Sequence, residues 1–162
     1  MTIRKAVGKD LEAVLAVYAE ARSFMASHGN PTQWGTTYPS LELLTEDISL
    51  GRLYVGLGDD GVVHASFVFS IGLDPSYREI REGAWLNDAP YGTIHRLASD
   101  GTVSGVFASC VQFCLSQISN LRADTHRDNV TMRRLLVKAG FTPCGIITLD
   151  DGTDRIAFQL AV

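Results

Sequence analysis

The sequence of 162 residues has no apolar run that approaches the roughly 20 residues needed to cross a bilayer. Its first five residues lack the apolar core of a secretory signal peptide, so we expect a cytoplasmic location. Basic residues are in the minority, with 14 Lys and Arg against 18 Asp and Glu. The resulting net charge of −4 argues against nucleic acid or an anionic membrane as the main partner.

Cysteine is scarce, and the count of three is odd, which argues against a full disulfide framework. Cys110 and Cys114 stand four residues apart on the apolar side of a predicted helix, where free thiols serve as small core residues. No third and fourth ligand stand at the spacing of a zinc site. We therefore expect no bound metal.

What remains is an ordinary globular composition, 46% hydrophobic and 20% charged. A chain of this length buries roughly 70% of its unfolded surface on folding, enough for one core. We expect a single domain over residues 1–162.

Hydrophobic periodicity and turn residues divide the chain into elements in the order βααββ and then βαβαββ. Strands are predicted at residues 2–7, 52–58, 62–70, 91–98, 121–125, 141–149 and 154–161. Helices are predicted after Asp10, after Ser40, after Gly105 and after Asn129. This order indicates an α/β fold with a mixed sheet.

The helix after Gly105 has the clearest pattern. Its apolar residues step by three and one without interruption, which is typical of a helix packed on a sheet. They are Val103, Val106, Phe107, Cys110, Val111, Cys114, Leu115 and Ile118.

The glycine-bearing loop over residues 99–105 precedes this helix, so free backbone N–H groups and the positive end of the helix dipole converge. That arrangement binds phosphate or pyrophosphate.

With these elements, the chain resembles the GNAT-type N-acetyltransferases over nearly its whole length. The family's phosphate loop reads Arg/Gln-x-x-Gly-x-Gly/Ala, and residues 102–107 are the matching segment. Only Gly105 is kept, because Thr102 stands at the Arg/Gln position and Phe107 at the last Gly/Ala position. Asn129 follows the fifth strand as the family's asparagine does, and residues 134–141 are similar to the family's Leu-Tyr-x-Lys-x-Gly-Phe ending. Leu136 stands where many members carry a tyrosine that protonates the CoA thiolate.

The resemblance implies a GNAT-like, mostly antiparallel sheet of about seven strands flanked by about four helices, and acetyl-CoA as co-substrate. It implies contacts to acetyl-CoA from the fourth strand, the following loop and the last helix. These residues are Leu97, Ala98, Thr102, Val103, Ser104, Gly105, Val106, Asn129 and Arg134. A solvated basic helix face is the alternative for Arg134.

The implied reaction is direct attack of an amine on the acetyl thioester. A strand bulge near residues 96–98 would offer a backbone N–H to the thioester oxygen. A base must also deprotonate the ammonium, and histidine titrates in a suitable range. His126 and His95 are the catalytic candidates. The alternatives are a loop hydrogen bond for His126 and a satisfied core histidine for His95.

Aromatic residues in two loops are candidates for substrate binding. Trp34 and Tyr38 lie in the first inter-helix loop, and Tyr77 and Trp85 lie in the long irregular segment before the fourth strand. Loops of that length are often functional, although local packing is the alternative for all four residues. Asp47 and Asp150 are interpreted as surface or turn residues.

The sequence therefore predicts an acetyl-CoA-dependent N-acetyltransferase that acts on a small amine. The alternative is a GNAT-fold module that binds CoA or a small molecule without turnover, which the departures at Thr102, Phe107 and Leu136 favour. Acyl transfer to a protein amine is a third hypothesis, although the sequence does not indicate an acidic groove for a basic peptide. The resemblance also implies a homodimer as one expected assembly.

Overall fold

Seven strands and four α-helices follow one another in the predicted order in this computed structural model, which describes residues 1–162. The strands are β1 (Thr2–Lys5), β2 (Leu53–Leu57), β3 (Val63–Ile71), β4 (Gly92–Ser99), β5 (Asn120–Thr125), β6 (Thr142–Thr148) and β7 (Asp154–Ala161). The helices are α1 (Leu11–Ser27), α2 (Leu41–Ser49), α3 (Val106–Leu115) and α4 (Val130–Lys138). Short 3-10 helices cover Gly8–Asp10 and Pro75–Tyr77.

The strands form one sheet in the order β1-β2-β3-β4-β5-β7-β6. The pairs β1–β2, β2–β3, β5–β7 and β6–β7 are antiparallel. The pair β4–β5 is parallel, with Gly92 opposite Leu121 and Ile94 opposite Ala123. The predicted mixed, mostly antiparallel sheet is confirmed.

The chain divides into two compact units. The first consists of Met1–Phe69 and His95–Phe113. Its core forms because α1 places Val14, Val17, Tyr18 and Ala21 on one face, at the spacing of a helical stripe. These side chains pack with buried residues that include Leu44, Leu53, Val55, Val68 and Ala98.

The second unit consists of Ser70–Ile94 and Cys114–Val162. Tyr77 and Tyr91 pack in its core with Ile147 and Ala157, and Trp85 packs against this cluster. The segment before β4 is therefore ordered by packing. It also reaches β6 through an isolated bridge, in which Arg81 N donates to Ile146 O at 3.0 Å and Ile146 N donates to Arg81 O at 2.8 Å.

A buried amide network adds hydrogen bonds to the second unit. Gln159 Nε2 donates to Asn120 Oδ1 at 2.8 Å, and Asn120 Nδ2 donates to Asn87 Oδ1 at 3.0 Å. The side-chain carbonyl of Gln159 accepts from Leu86 N at 2.8 Å. Buried amides are tolerated in a core when they have such partners, so this network links β5 and β7 to the segment before β4.

The helix predicted after Gly105 begins there, at Val106, but it ends at Leu115, so Val103 and Ile118 of the predicted apolar stripe lie outside it. Within α4, Leu136 is buried, while Met132, Leu135 and Ala139 are only half-buried. Cys110 and Cys114 are buried as expected, and burial raises the pKa of the Cys110 thiol to about 12.

None of the helices has the length and hydrophobicity that a membrane span requires. A single domain over residues 1–162 stays a prediction.

Candidate functional site

Strand β4 contains a residue in an unfavourable backbone conformation. Arg96 has a φ of 50°, in the left-handed region that non-glycine residues rarely adopt. The phenol of Tyr18, which is fully buried, donates a 2.7 Å hydrogen bond to the Arg96 carbonyl. This contact fixes the carbonyl of the left-handed residue, and a strand bulge near residues 96–98 stays a prediction. Leu97 and Ala98, the predicted acetyl-CoA contacts on this strand, follow directly.

A buried ion-pair cluster surrounds the Arg96 side chain. Asp47 is fully buried, accepts a 2.7 Å hydrogen bond from Arg52 Nε, and also accepts from Arg96 Nη2. The interpretation of Asp47 as a surface residue is therefore wrong. It stands three residues after buried Leu44, so helical spacing puts it on the inner face of α2. That spacing was the signal in the sequence that could have identified it.

The predicted aromatic pair of the first inter-helix loop lies beside this cluster. Arg96 Nη1 donates to the Tyr38 hydroxyl at 3.3 Å, and Arg22 Nη1 donates to the Tyr38 backbone carbonyl at 3.2 Å. Trp34 is half-buried, with its ring centroid 5.6 Å from that of Tyr18 and 6.5 Å from that of Tyr38. The structure thus brings Trp34 and Tyr38 together with Arg96. His95, the preceding residue in β4, is half-buried.

The loop between β4 and α3 has open backbone at its glycines. Gly101 and Gly105 have left-handed φ values of 78° and 74°. A Cβ added at either position would meet nothing within 4 Å. Thr102, Val103 and Ser104 lie between them, and Val106 begins α3. A ligand could therefore approach the loop backbone closely at both glycines.

A side-chain cluster that sequence reasoning missed ties this loop to β3. His64 lies within hydrogen-bond distance of Asp100, with 2.7 Å between Nδ1 and Oδ2, and of Asp60, with 3.0 Å between Nε2 and Oδ2. Thr102 Oγ1 donates to Asp100 Oδ1 at 2.7 Å and lies 2.9 Å from His64 Nδ1. The hydrogen bonds with Asp100 and Asp60 raise the pKa of His64 above its ordinary value. No local motif signals a contact between residues 36 positions apart.

In the second unit, two predicted substrate contacts lie in packed positions. Tyr77 is 2% exposed, and its hydroxyl donates to Asp124 Oδ2 at 2.7 Å. Burial, reinforced by Asp124, raises the pKa of Tyr77 well above its ordinary value. Trp85 Nε1 donates to the Tyr77 carbonyl at 3.0 Å, and the Arg122 guanidinium lies 4.0 Å from the Trp85 ring centroid. These contacts explain the positions of the Tyr77 and Trp85 rings by local packing. Substrate contact by either residue stays a prediction.

The turn from β5 into α4 holds the remaining candidates. Asn129 caps α4, since its side chain accepts from Met132 N at 3.0 Å. Asn129 N donates to the His126 carbonyl at 3.0 Å, and Asp128 N donates to His126 Nδ1 at 3.1 Å. Arg134 is exposed and Leu136 is buried. His126 and Asn129 are therefore brought together in one turn.

No protein-family model matches the chain, and no curated protein matches it. Solved structures of other proteins do match the chain. A GNAT-family acetyltransferase from Streptococcus agalactiae is 30% identical, with a TM-score of 0.90 over 99% of this chain and 95% of that one. A GNAT-superfamily phosphinothricin acetyltransferase from Sinorhizobium meliloti, solved with AcCoA, is 14% identical, with a TM-score of 0.64 over 99% of this chain and 88% of that one.

A third structure, the ribosomal-protein-alanine N-acetyltransferase from Brucella melitensis, is 18% identical, with a TM-score of 0.62 over the whole of both chains. At 14% and 18% identity, the second and third structures show a shared fold alone.

Proposed function

Because this chain belongs to the GNAT family of acetyltransferases, we propose that it transfers an acetyl group from acetyl-CoA to the amine of a small molecule, by direct attack in a ternary complex. The observation that carries the proposal is the 30% identity to a GNAT-family acetyltransferase with a TM-score of 0.90. In the reaction a C–N bond forms and the C–S bond of the thioester breaks. The amine loses a proton, and the CoA thiolate gains one.

The loop before α3 supports acetyl-CoA as the donor. Its two left-handed glycines leave open space beside the backbone, and a ten-residue helix follows with its positive dipole end at the loop. We propose that the backbone of Thr102, Val103, Ser104, Gly105 and Val106 binds the pyrophosphate. Asp100 and Asp60 add negative charge beside this loop, and His64, which contacts both at 2.7 and 3.0 Å, offsets one of the two charges when it is protonated.

We propose that the backbone N–H groups of Leu97 and Ala98 are the contacts of β4 to the thioester. Arg96 has a left-handed φ of 50° just before them, and the Tyr18 hydroxyl binds its carbonyl. A donor held in place before the reaction stabilises a developing negative charge without reorganisation.

Proton transfer is assigned to His126, with His95 as the second candidate. Asp128 N donates to Nδ1 of His126, so the neutral ring carries its proton on Nε2. Only the imidazolium form of His126 is acidic enough to protonate a thiolate, and in that form Nδ1 also faces the Asp128 carboxylate, with 3.5 Å between Nδ1 and Oδ2. We propose that this form supplies the proton that buried Leu136, at the family's tyrosine position, has no group to give. In this proposal His95 or a water molecule removes the proton from the ammonium group of the substrate.

The other assignments follow the same proposal. Asn129 and Arg134 are proposed as further CoA contacts in the second unit. Trp34 and Tyr38 are the proposed acceptor contacts of the first unit, and Tyr77 and Trp85 those of the second. Tyr38 is 40% exposed, so its ring is accessible to a ligand.

The first test is thermal unfolding with and without acetyl-CoA. Ligand at 100 times its Kd adds about 2.7 kcal/mol of stability, a shift of about 5–10 °C for this length. If a shift is observed, release of the CoA thiol with a panel of amines is measured next. Absence of a shift at millimolar acetyl-CoA contradicts acetyl-CoA binding.

The second candidate function, a binding module without turnover, is favoured by one observation. Leu136 is buried at the position of the usual proton donor. A thermal shift with acetyl-CoA but no thiol release with any amine would support the module. A homodimer is a separate proposal, tested by sedimentation equilibrium.

A further inference from the structure

The cluster around Tyr38 carries more positive than negative charge. Arg22 and Arg96 both donate to Tyr38, to its backbone carbonyl and to its hydroxyl, and Arg52 is connected to this group through Asp47. Asp47 is the carboxylate that forms salt bridges in this group, to Arg52 and to Arg96. This one carboxylate is thus shared by two guanidiniums, and Arg22 has a backbone carbonyl instead of a carboxylate as its partner.

The hydrogen-bonding capacity of these guanidiniums is only partly used. Nε of Arg96 is buried without a partner, and its Nη1 reaches the Tyr38 hydroxyl only at 3.3 Å, beyond the usual range for a good hydrogen bond. Arg22 makes one hydrogen bond at 3.2 Å, to a backbone carbonyl. An anionic oxygen would be a better acceptor than either present partner.

The cluster is reachable from solvent and has an apolar wall. Tyr38 is 40% exposed, and Arg22 and Trp34 are half-buried. The rings of Trp34 and Tyr38 lie 6.5 Å apart, centroid to centroid. A small molecule could place an apolar part on these rings and an acid group on the guanidiniums.

We propose that the acceptor is an amine that also carries an acid group, as an amino acid does, and that Arg22 and Arg96 bind this acid beside Trp34 and Tyr38. The inference rests on the proposed acetyltransferase function and names its substrate class. The same positive charge disfavours acceptors with several amines, because a second ammonium would face the arginines.

Thiol release with matched acceptor pairs tests the inference. Each pair is an amino acid and the amine left when its carboxylate is removed, such as methionine with 3-(methylthio)propylamine and phenylalanine with phenethylamine. Because a hydrogen-bonded charge pair strengthens binding substantially, kcat/KM should be about tenfold or more higher for the amino acid. A diamine such as putrescine should be the poorest acceptor.

Arg22→Gln is the variant to compare, because Arg22 is half-buried and makes a single hydrogen bond. The variant should raise KM for the acid-bearing acceptor about tenfold, with the KM of its neutral partner and the Kd of acetyl-CoA unchanged. Lys9→Gln removes one positive charge from an exposed residue of the same unit and should change none of these. Circular dichroism melting checks that both variants fold.

The outcomes separate the two proposals. Turnover that favours the neutral amines or putrescine overturns the acid-bearing acceptor and leaves the transferase function standing. An equal loss for both members of a pair in Arg22→Gln also overturns it, since the acid group would then not be the contact. No turnover with any acceptor, acid-bearing or neutral, overturns the transferase function and the acceptor class together.

Discussion

The Tyr18 hydroxyl donates to the backbone carbonyl of Arg96, 78 residues away along the chain. The hydroxyl is fully buried, and the carbonyl belongs to a residue with a φ of 50°. Removing the donor leaves that carbonyl without the partner that holds its strained conformation. Tyr18→Phe should therefore lower the free energy of unfolding by about 1–3 kcal/mol, measured by urea denaturation.

The same variant also tests the proposed role of the left-handed conformation at Arg96. If this conformation orients the N–H groups of Leu97 and Ala98, kcat should fall more than the Kd of acetyl-CoA changes. A variant with full stability and full kcat would show that the hydrogen bond is needed neither for the fold nor for the conformation of Arg96.

Asp47→Asn tests the buried ion-pair cluster. The variant leaves Arg52 and Arg96 without their shared carboxylate, and breaking a buried pair leaves uncompensated charge. The free energy of unfolding should fall by about 3 kcal/mol or more. Asp59→Asn, at an exposed position, should stay within about 0.5 kcal/mol of the parent. Equal effects of the two changes would contradict the structural role of Asp47.

His64 should make stability depend on pH with a defined sign. Asp100 and Asp60 raise the pKa of His64 above 6.5, so the folded state binds its proton more tightly than the unfolded state does. The stabilisation is therefore complete below about pH 6.5 and is lost as pH rises through the folded-state pKa. The difference in urea midpoint between the parent and His64→Gln should shrink across that window. A difference that grows with pH would contradict the assignment.

Asn129 has a structural role and a proposed role that substitutions can separate. Its side chain caps α4, so Asn129→Ala should cost about 1 kcal/mol of stability. Serine caps helices as well as asparagine does, so Asn129→Ser should keep that stability. If the amide also binds CoA, the Kd of acetyl-CoA should rise about tenfold in Asn129→Ser. An unchanged Kd would leave Asn129 as a cap only.

Gly83 is required for the close approach of two backbone segments. A Cβ at Gly83 would lie 2.0 Å from the Cys144 carbonyl oxygen, which is a backbone atom and cannot rotate away. Gly83→Ala should destabilise the protein by about 3 kcal/mol, read from its thermal unfolding. Gly8→Ala is the control, because a Cβ there meets nothing within 4 Å. A melting temperature equal to the parent's would contradict this packing.

The order of elements was predictable because each depends on local periodicity, caps and turn residues. Ser40, for example, caps α2 through its own side chain, which accepts from Leu43 N. Contacts between distant residues were not predictable in this way. Helical spacing could indicate that Asp47 is buried, but its partner Arg96 lies 49 residues away, and the Asp124 partner of the Tyr77 hydroxyl lies 47 residues away. The predicted apolar stripe also extends beyond α3, since apolar spacing continues into the flanking turns.

The bridge between Arg81 and Ile146 has a consequence for assembly. β6 is the last strand in the sheet order, and an unpaired outer strand can recruit a strand from another molecule. At Ile146 both the N–H and the C=O are already bonded to Arg81, so strand addition or aggregation through the middle of β6 is blocked. At the other end of the sheet, β1 is only four residues long. A dimer of this protein is therefore expected to associate through side chains or helices instead of a continuous intermolecular sheet across β6.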